Sequence, residues 1–116
     1  MPRVQIFYAA KCNQNIEVGK ACVEMNTGFD VASANEIKRF IELGAKPENM
    51  IYANPCKQDD HILYAKKFGL KKMTFDSVEE LYKIKKLFPE AECIVRISSH
   101  ITDRSAFVDL SKKFGA

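Results

Sequence analysis

Short apolar runs alternate with amphipathic segments along the chain, and this alternation restricts the possible folds more than any other feature of the sequence. Most of the runs are rich in β-branched or aromatic residues and are bounded by polar residues, Gly or Pro, as strands are. They cover residues 4–10, 28–32, 50–53, 72–75 and 93–97. Strict β-α-β alternation implies parallel strands with right-handed crossovers. The sequence therefore predicts an α/β fold built on five parallel strands.

Four amphipathic segments between the runs carry helix start and stop signals. The second and fourth begin with serine followed three residues later by glutamate (Ser33 with Glu36, Ser77 with Glu80), which is the spacing of a capping box. Gly44 and Pro89 end these two segments. We expect helices at residues 15–25, 33–44, 58–68 and 77–89, and a last amphipathic piece at residues 105–114.

The length of the chain bears on the architecture. A (β/α)₈ barrel needs roughly 250 residues, and this chain has 116. Five strands with four or five helices are a little more than half of such a barrel, so the chain forms either an open sheet or a piece of a longer barrel. An open half-barrel exposes strand edges and an inner apolar face, which favours association.

Polar residues recur where each predicted strand meets its following loop. They are Lys11, Asp30, Asn54, Asp76 and Arg96, spaced by 19, 24, 22 and 20 residues. In a barrel such residues converge on one mouth, where the active sites of this architecture lie. The alternative is that they only end strands, with Asn54 and Asp76 starting turns or capping helices.

Lys11 is the most informative of these residues. It closes the run FYAAKCN (residues 7–13) at the end of what looks like a buried strand. A lysine is costly there unless it is used. Its amine can form a Schiff base with a carbonyl substrate or with pyridoxal phosphate.

Composition excludes several other classes of function. The net charge is +3, and the densest basic stretches are pairs of lysines, which favours solvated helix faces over nucleic-acid binding. The four cysteines form no C-x-x-C pair, so a zinc site is not expected; Cys12, Cys56 and Cys93 are expected to pack in the fold. There is no signal-peptide pattern and no apolar run of about 20 residues. A cytoplasmic location is the resulting expectation, with no membrane partner.

Several motifs together resemble the eukaryotic ornithine decarboxylases and their inactive relatives, the antizyme inhibitors. The motifs are FYAAKCN, TGFDVAS, IYANPCK, MTFDS, IVRI and a closing SKKFGA, in the order and spacing of that family, from Phe7 to Ala116. The resemblance implies an alanine-racemase-like, pyridoxal-phosphate-dependent decarboxylase. In this family a (β/α)₈ barrel is accompanied by a separate β domain. The chain is similar to about the first half of the barrel only, and the C-terminal β domain is expected to be absent from residues 1–116.

The resemblance also implies roles for particular residues. Lys11 matches the lysine that forms the Schiff base with the cofactor, pyridoxal 5′-phosphate. Ala9 matches a residue beside the cofactor, and Asp30 matches an acidic residue near the lysine, where it could also neutralise Arg96. The match for Glu36 is a glutamate of the cofactor pocket, although its spacing fits a capping box equally well. Arg96 matches an arginine at the barrel mouth, and Ala10 departs from the family by replacing the usual valine.

Two functions follow as expectations from the resemblance. The first is a fragment or truncated form of a decarboxylase that converts L-ornithine to putrescine and CO₂ in polyamine synthesis. Because the phosphate loop, the substrate-choosing residues and a second subunit would lie outside the chain, it is expected to be inactive alone. The second is a non-catalytic, antizyme-inhibitor-like module. It would bind a regulatory protein through the segment from Asp60 to Tyr82, with Lys66, Lys67, Lys71 and Lys72 making that surface basic.

Overall fold

The computed structural model describes residues 3–98 of the chain. The strands are β1 (Phe7–Ala9), β2 (Gly28–Val31), β3 (Met50–Tyr52), β4 (Lys72–Phe75) and β5 (Glu92–Val95). The helices are α1 (Ile16–Glu24), α2 (Ala34–Glu42), α3 (Asp59–Lys67) and α4 (Val78–Leu87), and a short 3₁₀ turn, Pro47–Asn49, leads into β3. The amphipathic piece expected at residues 105–114 lies outside the described residues.

The five strands form one parallel sheet in the order β1-β2-β3-β4-β5. Each strand pairs with its neighbour in sequence, and a helix connects each pair. This order is the one that a (β/α)₈ barrel uses. The prediction of an α/β fold corresponding to about half of such a barrel is confirmed.

Alternating residues of the strands face two different environments. The outward face packs under the helices, where Phe29, Val31, Met50, Tyr52 and Met73 are at most 1% exposed. Residues one position away point to the opposite, inner face. The register aligns Ala9 with Asp30, Asp30 with Ile51, and Ile51 with Lys72. These aligned residues therefore share the inner face.

The first strand is shorter and less buried than the sequence suggests. The prediction extended it over residues 4–10, but β1 covers Phe7–Ala9 and is half-buried. Val4 and Ile6 are 60% and 70% exposed. In the described part of the chain β1 pairs with β2 alone, so its side chains lack the second neighbour that buries a central strand.

Helices α1 and α2 begin at side-chain caps, and the cap of α2 is the one that its capping-box spacing predicts. Asn15 Oδ1 accepts a hydrogen bond from Glu17 N at 2.9 Å, and Ser33 Oγ accepts one from Glu36 N at 3.3 Å. Gly44, just beyond the C-cap of α2, has a φ of 94°, a left-handed conformation that glycine adopts without strain. Within residues 3–98, no helix is long and apolar enough to span a membrane.

Candidate functional site

Four of the residues singled out by the resemblance lie near the carboxyl ends of the strands. Ala9 is the last residue of β1 and stands directly opposite Asp30 of β2. Lys11 follows two residues later, in a turn closed by a hydrogen bond from Cys12 N to Ala9 O at 2.9 Å. Arg96 directly follows β5. The topology thus brings a lysine, a carboxyl and a guanidinium to one edge of the sheet.

Lys11 is solvent-exposed, so the expectation of a lysine at the end of a buried strand is wrong in this detail. Its ammonium lies close enough to Asp30 to act on that carboxyl. Burial raises the pKa of Asp30 above its usual value, the positive charge of Lys11 opposes the increase, and the negative charge of Glu36 adds to it. The Lys11 ammonium is therefore a neighbour of the Asp30 carboxyl, and Ala9 is paired with Asp30 across the two strands.

Glu36 stabilises the start of α2. Its Oε2 accepts a hydrogen bond from Ala32 N at 2.6 Å, while its own N–H donates to Ser33 Oγ. In a standard capping box the glutamate carboxylate accepts from the N–H of the capping residue, which is Ser33 here. In this chain it accepts instead from the N–H of Ala32, one residue earlier. Glu36 also lines a cavity of about 300 Å³ between the β1–α1 loop and α2. Ala10, Gln14, Ser33, Asn35, Arg39 and Phe40 complete the lining of that cavity.

Arg96 forms an ion pair with Asp76, whose Oδ2 accepts from its guanidinium. We expected Asp30 to be the carboxylate that neutralises Arg96, and the structure gives this place to Asp76. The reason is topological: β4 and β5 pair in register, with Phe75 opposite Val95, so the residues that follow each strand are neighbours. Asn54 has the role of a turn residue, since its Oδ1 accepts from Cys56 N at 3.2 Å.

Lys57 is the polar residue that sequence reasoning missed. It belongs to the loop between β3 and α3, and its side chain is fully buried. Its Nζ lies 2.8 Å from Glu80 Oε1, and Lys83 Nζ lies 2.6 Å from Glu80 Oε2. The sequence signal at Glu80 pointed to a capping box, and Ser77 Oγ does accept from Glu80 N. Nothing in the local pattern shows that the Glu80 carboxylate turns inward to a lysine 23 residues earlier.

The cysteines and histidine of the described part do not form a metal site. No group of three or more His, Cys, Asp or Glu residues within residues 3–98 could hold a metal ion. Cys22 is buried, whereas Cys12, Cys56 and Cys93 are exposed, contrary to the expectation that these three pack. His61 is half-buried, and its Nδ1 lies 3.1 Å from the hydroxyl oxygen of Tyr52.

Comparison with known proteins gives the class of protein to which this geometry belongs. The family model for the pyridoxal-binding domain of pyridoxal-dependent decarboxylases matches residues 1–116. The chain is a member of this family, and the cofactor of the family is pyridoxal phosphate.

Particular relatives are similar along the whole chain. The ornithine decarboxylase of Schizosaccharomyces pombe is 43% identical over 116 residues, and antizyme inhibitor 2 of Xenopus laevis is 47% identical. The arginine decarboxylase of Paramecium bursaria Chlorella virus superposes with a TM-score of 0.91 at 40% identity, covering 100% of this chain and 31% of that one. The chain covers 26% and 25% of the length of the first two relatives, so it spans about a quarter of their length.

The residues at the sheet edge fit the chemistry of pyridoxal phosphate. The cofactor carries an aldehyde, which bonds to an amine, and a dianionic phosphate, which guanidinium groups bind well. Lys11 offers an exposed amine at this edge, near the Asp30 carboxyl, and Ala9 at the end of β1 has only a methyl side chain. Arg96 is half-buried at the same edge.

Proposed function

We propose that this chain is the lysine-bearing first part of the cofactor-binding barrel of an ornithine-decarboxylase-like enzyme, with Lys11 as the Schiff-base lysine. One observation carries this proposal. Lys11 is exposed just beyond the carboxyl end of β1, where Ala9 stands opposite Asp30, in a chain that the pyridoxal-binding family model matches over all its residues. Active sites of (β/α)₈ barrels lie at this edge of the sheet.

Each residue of the candidate site has a distinct proposed role. Lys11 would hold the cofactor through its amine, and an amine must be deprotonated to react with an aldehyde. The Asp30 carboxylate orients that amine and balances its positive charge when the amine is protonated. Ala9, with its small side chain, leaves space beside the cofactor. Arg96, which is paired with Asp76, contributes positive charge to the part of the pocket that binds anionic or polar groups. Glu36 fixes the start of α2 and borders the site. Bound cofactor supplies the electron sink that decarboxylation requires.

The proposed substrate of the whole enzyme is a basic amino acid, and L-ornithine is our specific proposal. Support for ornithine comes from the relatives named as ornithine decarboxylases, at 43% identity in S. pombe and 46% in the rat. The structural neighbour from the Chlorella virus acts on arginine by its name. On the ornithine proposal, the reaction yields putrescine and CO₂ in polyamine synthesis in the cytoplasm.

We further propose that the 116-residue chain does not decarboxylate an amino acid when it is produced alone. It corresponds to about a quarter of its relatives, and the proposed whole enzyme adds the rest of the barrel, a C-terminal β domain and the second subunit of a homodimer. The chain contributes the amine and part of the pocket, which are enough to bind the cofactor but not to complete a turnover.

A titration with pyridoxal phosphate tests the proposed role of Lys11. The visible absorbance of the protein-bound cofactor is followed for the wild type, for Lys11→Ala and for Lys20→Ala, a matched control because Lys20 is an exposed lysine paired with Glu17. We expect saturable binding by the wild type and by Lys20→Ala, and loss of the saturable signal in Lys11→Ala. Equal signals from all three proteins would refute the role of Lys11.

A second function, binding of an antizyme-like regulator, is favoured by the 47% identity to antizyme inhibitor 2. The proposed segment from Asp60 to Tyr82 contains α3 from its second residue onward, all of β4 and the first turn of α4. Leu63 and Tyr82 are 48% and 68% exposed in it, beside the exposed lysines 66 and 67. Lys72 does not belong to this surface, because its Nζ donates to Glu48 O at 2.8 Å and lies over the Phe7 ring.

The two functions are separable by experiment. Leu63→Ser/Tyr82→Ser removes apolar area from the proposed docking surface without touching the residues at the sheet edge. On the regulator proposal this variant loses co-sedimentation with purified antizyme and keeps cofactor binding. Co-sedimentation that is equal for wild type and variant would exclude this surface as the docking site.

A further inference from the structure

The Lys57 ammonium is completely enclosed, and all of its hydrogen-bonding capacity is used. Its Nζ lies 2.7 Å from Thr74 O, 3.0 Å from Asn54 O and 2.8 Å from Glu80 Oε1. An ammonium has three protons, so three acceptors satisfy it. Lys57 N donates to the same Glu80 Oε1 at 3.2 Å, which fixes the backbone of the loop as well.

These contacts connect three elements of the fold. Asn54 follows β3, Thr74 lies in β4, and Glu80 lies in the first turn of α4. One side chain therefore ties the carboxyl ends of two adjacent strands to the helix that follows the second strand. Lys83 holds the other oxygen of the Glu80 carboxylate and donates to Lys57 O, so Glu80 has no freedom to turn away.

The carboxyl end of β4 is also followed by Asp76, the acidic partner of Arg96. Asp76 stands two residues after Thr74, and Arg96 N donates to Phe75 O at 2.8 Å between them. A shift of the end of β4 would therefore move both the Asp76 carboxylate and the backbone of Arg96. Lys57 is therefore connected to the Asp76–Arg96 pair through its hydrogen bond to Thr74 and the two residues of chain that follow Thr74.

Stability alone does not account for this arrangement. A buried ion pair gives little net stability compared with apolar residues of the same size, because both charges must be removed from water. We infer that Lys57 and Glu80 are positioning residues that hold the end of β4 so that Asp76 presents Arg96 to the cofactor site. This inference rests on the proposed function for its relevance to the cofactor, and on the structure alone for the positioning of Arg96.

The test uses a double variant that removes both charges together. Lys57→Met/Glu80→Gln leaves neither charge buried alone, so the protein is expected to fold. Lys38→Met/Glu42→Gln is the matched control, since these two form an exposed pair 3.9 Å apart on α2. Glu80→Asp is a second variant that keeps both charges but shortens the carboxylate by one methylene, which withdraws it from Lys57. Urea unfolding shows that each variant is folded.

Two readouts decide the question. The first is hydrogen exchange of the Arg96 amide in the chain without cofactor, which reports local opening at the end of β4. The second is the dissociation constant of pyridoxal phosphate. In the double variant we expect faster exchange of the Arg96 amide. By analogy with residues that orient metal ligands, we also expect about tenfold weaker binding of pyridoxal phosphate. Glu80→Asp should change both in the same direction, and the control should change neither.

The outcomes separate this inference from the proposed function. A folded double variant with the Arg96 exchange and the cofactor affinity of the control overturns the inference and leaves the role of Lys11 intact. If the wild type fails to bind pyridoxal phosphate through Lys11, the proposed function fails. The exchange of Arg96 then still decides whether Lys57 and Glu80 position the strand end.

Discussion

At the scale of single residues, Gly28 determines how the inner face of the sheet is filled. A Cβ built on Gly28 would lie 2.7 Å from Phe7 Cδ1, closer than any carbon contact allows. The Phe7 ring therefore lies directly against the backbone of β2, with the Lys72 ammonium 5.8 Å from its centre. This cation–π contact and the close backbone approach fix the amino-terminal part of the inner face below the candidate site.

Substitution of Gly28 by alanine should destabilise the chain because the Phe7 ring must move. We expect a loss of about 1–3 kcal/mol in the free energy of unfolding, measured by urea denaturation. Gly19→Ala is the control: its Cβ would lie 2.8 Å from Leu43 Cδ1, the far end of a flexible side chain, and 3.4 Å from Phe40 Cε1, and alanine favours a helix. A Phe7→Leu background should reduce the cost at residue 28, and an undiminished cost there would exclude the ring as the cause.

Asp30 should make the stability of the chain depend on pH. Its pKa is raised in the folded state, chiefly by burial, so the folded chain holds the proton more tightly than the unfolded chain does. Stability therefore falls as the pH rises from the ordinary Asp value of 3.8 through the raised folded value. Asp30→Asn should remove this decrease and be at least as stable as the wild type at neutral pH.

Urea unfolding at a series of pH values measures this effect. Glu17→Gln, at an exposed ion pair, serves as the control and should retain the wild-type pH profile. A pH profile of Asp30→Asn that matches the wild type would contradict the assignment of the raised pKa to Asp30.

Residues also show where sequence reasoning ends. The positions of Lys11, Asp30 and Arg96 at one sheet edge could be predicted, because each follows or closes a strand and parallel strands end together. The pairing of Arg96 with Asp76 could not, because it depends on the register between β4 and β5. Lys57 gave no signal at all, since its partner Glu80 is distant in sequence and looked like a helix cap.

At the scale of elements, α4 and the β3–α3 loop depend on the Glu80 carboxylate. Burial raises the pKa of Glu80, but hydrogen bonds from Lys57 and Lys83 outweigh that effect, and the pKa in the folded state is lowered. The stabilisation from the ionised carboxylate is therefore complete above the ordinary Glu value of 4.5 and is lost as the pH falls through the lower folded value.

Glu80→Gln should destabilise the chain at neutral pH by about 3–5 kcal/mol, because it leaves the Lys57 ammonium buried without a counter-charge. The loss should shrink as the pH is lowered below 4.5, where the wild type also loses its carboxylate charge. Glu42→Gln, at the exposed pair with Lys38, should cost less than about 1 kcal/mol. Equal losses of unfolding free energy for the two variants would show that the buried pair contributes no more to stability than the exposed pair does.

The elements themselves were well predicted because each carries local signals. Ser33 and Ser77 at capping-box spacing and Gly44 mark helix ends in the sequence, and α2 and α4 begin or end within a residue or two of them. β1 is the exception. Its length depends on pairing with a neighbour, and an apolar pattern alone does not show where pairing stops.

At the scale of the whole molecule, the sheet order and the position of the site are those of the first part of a (β/α)₈ barrel. The alternation of runs and amphipathic segments predicted parallel strands with right-handed crossovers, but it left open whether they form an open sheet or a piece of a barrel, and the observed order β1-β2-β3-β4-β5 is the one that a barrel uses. Within the described residues, apolar side chains are exposed in β5 and just after it, with Ile94, Val95 and Ile97 at 40%, 52% and 74%. Exposed strands of this kind favour association with further strands.

Reductive labelling is the measurement that tests the central proposal most directly. The purified chain is mixed with pyridoxal phosphate, reduced with borohydride and digested, and the modified lysine is located by mass spectrometry. Lys11→Ala is the control. The proposed function predicts a single dominant label on Lys11 in the wild type and no comparable label in the variant. Labelling spread over the surface lysines, unchanged by Lys11→Ala, would contradict it.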